Sequence, residues 1–156
     1  LLDTGLITRR LFKDMLNTPP YRLPNAGDEG SRLVDAVPGS FFMLKPGLLT
    51  PQDIEGLFDS RIFLYYEEKV LGRKFQEMGL KTVLVTDESY VHAHSATIDK
   101  SLKRMVDKQR LLHQSKLYYY REYLHAGPAL MAAAGVALDI ILAEVWFLTV
   151  VCRMRW

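Results

Sequence analysis

The chain has 156 residues, 49% apolar and 24% charged, with 20 basic against 18 acidic side chains and a formal charge of +2. That is enough apolar material for the core of one domain or a large part of one, and the balanced charge with only ten glycines and seven prolines excludes a disordered or collagen-like chain. No dense basic face calls for nucleic acid as a partner, and the single cysteine, Cys152, excludes an internal disulfide, a cysteine-based zinc site and a CxxC motif while fitting a reducing compartment.

Residues 6–16 (Leu-Ile-Thr-Arg-Arg-Leu-Phe-Lys-Asp-Met-Leu) predict a short basic amphipathic helix, and 17–32, with three prolines and two glycines, a loop. Val34–Leu44 predicts a strand, a Pro38-Gly39-Ser40 interruption, and a second strand over Phe41–Leu44. A helix start follows, with Thr50 as N-cap, Pro51 at the first helical position and Asp53 at the third. Arg61–Tyr66 is aromatic and β-prone, and it leads into a helix over Glu67–Met78 that Gly79 stops. Residues 81–86 predict a buried strand and Tyr90–His94 a second extended piece. A long helix is expected from Thr97 to about Leu124, with Ile98, Leu102, Met105, Val106 and Leu112 on one face, and the apolar segment 128–151 closes the chain. Strands interleaved with helices give an α/β class.

Four features could carry chemistry. Glu67 and Glu68 open a helix whose apolar residues Val70, Leu71, Phe75 and Met78 place Glu67 along the apolar face and Glu68 at its edge, about 80° round. The pair either serves the helix dipole or sets a carboxylate at a cleft floor, available as a general base. His92 and His94 alternate on an extended segment and share a face, either as ordinary histidines or as metal ligands. Gly39-Ser40 is either a bulge or a place where backbone approaches a ligand closely. In 128–151 the only charges are Asp139 and Glu144, and eleven residues are Leu, Ile, Val or Phe. Those eleven contribute roughly −3 to −7 kcal/mol toward membrane insertion, against a cost of about 5 to 7 kcal/mol for two mid-helix acids. Spanning is therefore balanced against lying in the interface or in a core. The neighbouring Lys116, Tyr118-Tyr119-Tyr120-Arg121, Arg153, Arg155 and Trp156 favour contact with a membrane surface. Arg153 and Arg155 would put that end on the cytoplasmic side if the segment spans.

In order along the chain, Val37-Pro38-Gly39-Ser40-Phe41-Phe42-Met43-Leu44, Gly56-Leu57-Phe58-Asp59, Phe63-Leu64-Tyr65-Tyr66-Glu67-Glu68, Gly79-Leu80-Lys81-Thr82 and Val91-His92-Ala93-His94-Ser95 resemble the C-terminal half of a family 2 glycosyltransferase. The subset most resembled is the bacterial rhamnosyltransferases of surface polysaccharide synthesis, over about residues 34–123. The resemblance implies the C-terminal portion of a GT-A fold followed by a long helix and an apolar C-terminal helix. It implies inverting transfer of a sugar, with rhamnose a candidate, from a nucleotide-sugar donor to a glycan or lipid-linked acceptor. Such a transfer needs a carboxylate to take the acceptor's proton and a divalent cation, Mg or Mn, at the departing diphosphate.

By the same resemblance Glu68 is the catalytic base, with Glu67 as its orienting or acceptor-binding neighbour. Gly39, Ser40 and Tyr66 lie on the substrate side, and His92, with His94 as near alternative, stands on the metal side. The family more often has Asp where this chain has Glu68, and Lys69-Val70 replaces a second acid common in the family. The family's Asp-x-Asp motif has no counterpart here, since no such triplet occurs in the chain. The expectation is thus a fragment of something longer, cytoplasmic and membrane-associated, whose partner is the N-terminal, nucleotide-binding half of the same protein. The chain opens on Leu1-Leu2-Asp3 without a signal-peptide layout. The expected organisation is a helix and loop over 1–32, the acceptor-side half over 33–96, a long amphipathic helix over 97–126 and an apolar helix over 127–156. The rival expectation is a catalytically inactive module that docks to a membrane or a polysaccharide-assembly complex.

Overall fold

A computed structural model of the chain describes residues 8, 30–62, 64–91 and 104–153. The chain forms two compact units, one of Pro20–Ala93 and one of Leu1–Pro19 with His94–Trp156. Helices and strands are mixed, in the order β1 (Ser31–Val34), a 3₁₀ turn (Pro46–Leu48), α1 (Pro51–Glu55), α2 (Glu67–Glu77), β2 (Thr82–Val85), α3 (Met105–Glu122) and α4 (Pro128–Trp146), the last continuing as a π turn over Phe147–Val151.

In the first unit β1 and β2 pair antiparallel, with Ser31 opposite Val85 and Val34 opposite Thr82. The strand expected over Val34–Leu44 begins at Ser31 instead and ends at Val34, inside what reads as loop, and Phe41–Leu44 is not strand. A strand lasts only as long as its partner, and β2 offers four residues; Pro38, without an N–H, could not have extended the ladder. β2 stands where 81–86 predicts it, but Val83, Leu84 and Val85 are exposed rather than buried. Among the described residues the sheet has these two strands alone, so its faces are not sandwiched. Tyr90 and Val91 have no regular structure, and the remainder of the extended piece expected there lies outside the described residues.

Thr50 caps α1 as its sequence predicts. Its Oγ1 accepts from the N–H of Asp53, whose carboxylate accepts in return from the Thr50 N–H at 2.8 Å. The Thr50 hydroxyl, which also donates to that carboxylate at 2.7 Å, and the Thr50 N–H together hold the Asp53 carboxyl below its ordinary range. The Lys74 ammonium donates to the carbonyls of Gly56 and Leu57, at 2.6 and 3.2 Å, tying the end of α1 to α2.

The β-prone run Arg61–Tyr66 is not strand in its described residues. It bends, and both Tyr65 (φ 65°) and Tyr66 (φ 71°) are left-handed. Local preference for extended backbone is overridden here by packing, because Ile62 and Tyr66 bury with Leu57, Val70 and Leu71 into the core of this unit. Phe75 and Met78, expected on the same face, are half-buried and exposed. α2 stops at Gly79 (φ 71°), whose N–H reaches Gln76 O while Leu80 N–H reaches Phe75 O, the paired bonds of a glycine C-cap.

Mid-helix Gly72 is buried, and a Cβ added there would stand 2.1 Å from the Asp35 carbonyl oxygen. The helix can lie against the chain leaving β1 because residue 72 has no side chain. Gln76 fastens the same contact through Asp35, at 3.2 Å.

In the second unit α3 and α4 pack as a hairpin. The long helix expected over 97–124 begins at Met105 in the described residues, and 97–103, with Ile98 and Leu102, lies outside them. Its buried row is Gln109, Leu112, His113, Ser115, Lys116, Tyr119 and Tyr120, a helical stripe that is largely polar, while Met105 and Val106 are only half-buried. α4 buries Ala134, Ala137, Leu138, Ile141 and Val145. Of the helix expected over 6–16 only Thr8 is described; it is helical and donates to Glu144 from its N–H, at 3.1 Å, and from its hydroxyl.

Gly72→Ala is expected to destabilise the protein by about 1 to 3 kcal/mol, the usual cost of overpacking, because the obstacle is backbone and cannot rotate away. A thermal melt followed by far-ultraviolet circular dichroism checks it, and an unchanged melting temperature would disprove the close approach.

Candidate functional site

The first unit brings together most of the residues the sequence singles out. After the two left-handed tyrosines the chain enters α2 directly, with no side-chain cap on its first turn, so Glu67 and Glu68 stand at the positive end of the helix. Left-handed backbone is costly for a tyrosine, and two in succession persist only where the surroundings over-determine them. Here the buried Tyr66 ring anchors the turn, and the Lys69 ammonium stands 5.4 Å from that ring's centre.

The two carboxylates face different surroundings. Glu67 lines a small cleft of about 210 Å³ with Leu57, Phe58, Asp59, Ser60, Ile62 and Val70, in agreement with its inward position on the helical wheel. Burial pushes its carboxyl above the ordinary glutamate value of 4.5; its own backbone N–H opposes the shift and the neighbouring Glu68 charge adds to it. Across the same cleft Asp59 is held by Arg61, whose backbone N–H and guanidinium both donate to it at 3.0 Å. Glu68 instead lies toward the Pro38-Gly39-Ser40 turn: a Cβ added at Gly39 would be 3.9 Å from its Oε2. That is an ordinary contact distance, so the turn and the carboxylate are neighbours.

Ser40 is exposed and its hydroxyl hydrogen-bonds to the Tyr90 hydroxyl, while the Tyr90 ring lies 5.6 Å from that of Phe41. Tyr90 is the residue that sequence reasoning misses at this turn. It lies fifty residues from Ser40 along the chain, and no local signal links them. Asp59 is the other: it stands in a recognised segment, but its place on the cleft that Glu67 also lines depends on how the 56–66 segment folds. Gly72 is missed as well, although an isolated glycine inside a helical pattern is itself a signal of close packing.

Gly39, Ser40 and Glu68 are thus neighbours, and Glu67 and Tyr66 adjoin them on α2. His92 and His94 lie outside the described residues. Among the described residues no three His, Cys, Asp or Glu side chains gather as a metal-binding group. Chemically, the site offers a half-buried carboxyl, Glu67, whose pKa burial raises, and one residue on the Glu68 carboxylate beside a turn that carries a hydroxyl. A carboxylate so placed can accept a proton from a bound hydroxyl. No protein-family model, curated protein or solved structure matches the chain.

A carboxyl with a raised folded pKa binds its proton more tightly when folded. Its contribution favours folding below the unfolded value and is lost as pH rises through the folded one. Glu67→Gln is therefore expected to gain stability relative to the parent as the pH is raised from about 4 to 7, with little difference at the acid end. Paired melting curves across that range check it, and a pH-independent difference would show that burial does not perturb Glu67.

Proposed function

We propose that this chain is the acceptor-side part of an inverting glycosyltransferase of the GT-A kind, acting at the cytoplasmic face of a membrane in surface polysaccharide synthesis. The nucleotide-binding part is expected from the same protein. The observation that carries the proposal is the Glu68 carboxylate set beside the Gly39-Ser40 turn, where an acceptor hydroxyl could meet it. The five sequence segments that resemble family 2 enzymes support it independently.

In this reading the acceptor hydroxyl gives its proton to Glu68 as its oxygen bonds to the anomeric carbon of the donor sugar. The bond from that carbon to the diphosphate breaks on the opposite face, and the nucleoside diphosphate leaves with the electron pair. Configuration inverts because bond making and bond breaking occur on opposite sides. Glu67, whose pKa burial raises, adjoins the base as its orienting or acceptor-binding neighbour. Ser40, oriented by Tyr90, and the Tyr66 turn position the acceptor. The Mg or Mn ion expected at the diphosphate, with His92 or His94 on its ligand side, belongs to the same proposal. The described residues do not form a ligand set for it, and no step above runs through it.

The test uses the whole gene product purified with its membranes and offered nucleotide-rhamnose and nucleotide-hexose donors, with nucleoside diphosphate release and acceptor labelling as readouts. Glu68→Gln is expected to lower kcat by about 10² to 10⁴, the usual contribution of a general base, with KM for the donor little changed. Turnover kept near the parent level would overturn the assignment of Glu68. Absence of release with every donor would favour the inactive docking module instead.

A further inference from the structure

We infer that the α3–α4 hairpin docks flat on a phospholipid bilayer, with α4 in the plane of the interface and not across it. The inference deepens the membrane part of the proposed function and rests on that part alone; it is independent of the sugar chemistry.

Pro128–Val151 is long and apolar enough to cross a membrane, at 24 residues with a mean hydropathy of 2.0, but only 28% of its most apolar stretch is buried within the chain. A core helix of that hydropathy would be mostly covered. The buried residues Ala134, Ala137, Leu138, Ile141 and Val145 form one narrow stripe. At about 100° per residue the exposed Val136, Ile140, Phe147 and Val150 fall together on the opposite side. From Val136 to Val150 that outer arc runs for about 21 Å at 1.5 Å per residue. Exposed Trp146 and Asp139 lie on one flank of it, where an indole and a carboxylate can reach the headgroup level while the arc itself enters the acyl boundary. The other acid of the segment, Glu144, is already satisfied by Thr8.

A crossing helix would have to be free of α3 or take α3 with it. α3 carries its exposed Arg110, Gln114 and Arg121 in a row on the side away from its buried stripe, and that stripe holds Gln109, His113 and Lys116, the last 1% exposed. Carrying this helix into hydrocarbon would bury guanidinium groups in lipid, and stripping it from α4 would uncover a polar row that the hairpin keeps dry. Lying in the interface costs neither: the apolar arc of α4 meets lipid and the charged row of α3 stays in water. A bilayer suits this surface better than a protein groove because the arc is long, featureless and lacks hydrogen-bonding groups at its centre.

Cys152 is exposed and is the chain's only cysteine, so the two ends of α4 can be labelled separately. A second variant carries Cys152→Ser with Gly127→Cys, a position where an added Cβ meets nothing within 4 Å. The whole protein, with any cysteine outside these 156 residues replaced by serine, is bound to phosphatidylcholine–phosphatidylglycerol vesicles and treated with a membrane-impermeant maleimide, then with alkaline carbonate. In-plane docking predicts that both positions label from outside without lysis and that carbonate releases the protein. Ile140→Glu with Phe147→Glu should weaken vesicle binding by at least about tenfold, while Gln114→Glu leaves it unchanged. Labelling of one end only after lysis, with resistance to carbonate, would overturn the in-plane geometry and leave the membrane reading standing. Protein that stays in the supernatant would overturn both, and a soluble dimer broken by Ile140→Glu would identify the covering partner as a second copy.

Discussion

The close approach of α2 to the chain leaving β1 is the contact on which the candidate site depends. Residue 72 meets the Asp35 carbonyl with no room for a side chain, and Gln76 repeats the contact one turn later. This brings the first turn of α2 to the Pro38-Gly39-Ser40 turn, and with it Glu68 to Gly39. Core packing by Leu57, Ile62, Tyr66, Val70 and Leu71 supports the arrangement from the other side. Glycine at 72 has a cost in helix propensity, of about 1 kcal/mol relative to alanine, which the close contact offsets.

The entry into α2 separates two chemically identical side chains. Left-handed backbone at Tyr65 and Tyr66 turns the chain sharply enough that Glu67 lies over the Leu57–Val70 cleft while Glu68 looks toward the turn. Adjacent carboxylates thereby acquire different neighbours, one lining the cleft and one beside the Pro38-Gly39-Ser40 turn.

The second unit inverts the usual distribution of polarity. Its α3 buries glutamine, histidine and lysine, and its α4 exposes valine, isoleucine and phenylalanine. Both facts make sense if the hairpin is a layer between two media: α4 supplies the face that leaves water, and α3 shields that helix's other side while presenting its own charged row to solvent. Small residues at 134 and 137 allow the pair to close, and Thr8 provides the hydrogen bonds that let Glu144 sit within an apolar helix.

The sequence alone determined the helices at Pro51 and Glu67, the glycine stop at 79, the four-residue core of β2 and the apolar run after Pro128. Each is written in local chemistry: a capping box, a period of 3.6, a residue free to adopt positive φ, or a uniform hydropathy. It also placed Glu67 inward, because that follows from helical period without any knowledge of the partner. Tertiary structure decided what depends on meetings between distant segments. The strand pair took Ser31–Val34 and left Phe41–Leu44 unpaired, since β2 is only four residues long. The β-prone Arg61–Tyr66 gave up extended backbone to bury Ile62 and Tyr66. Ser40 found Tyr90, Glu67 and Asp59 came to line one cleft, Glu68 came beside Gly39, and a polar row on α3 became buried. None of these has a local sequence signal, because each is settled by which surfaces fit once the elements exist.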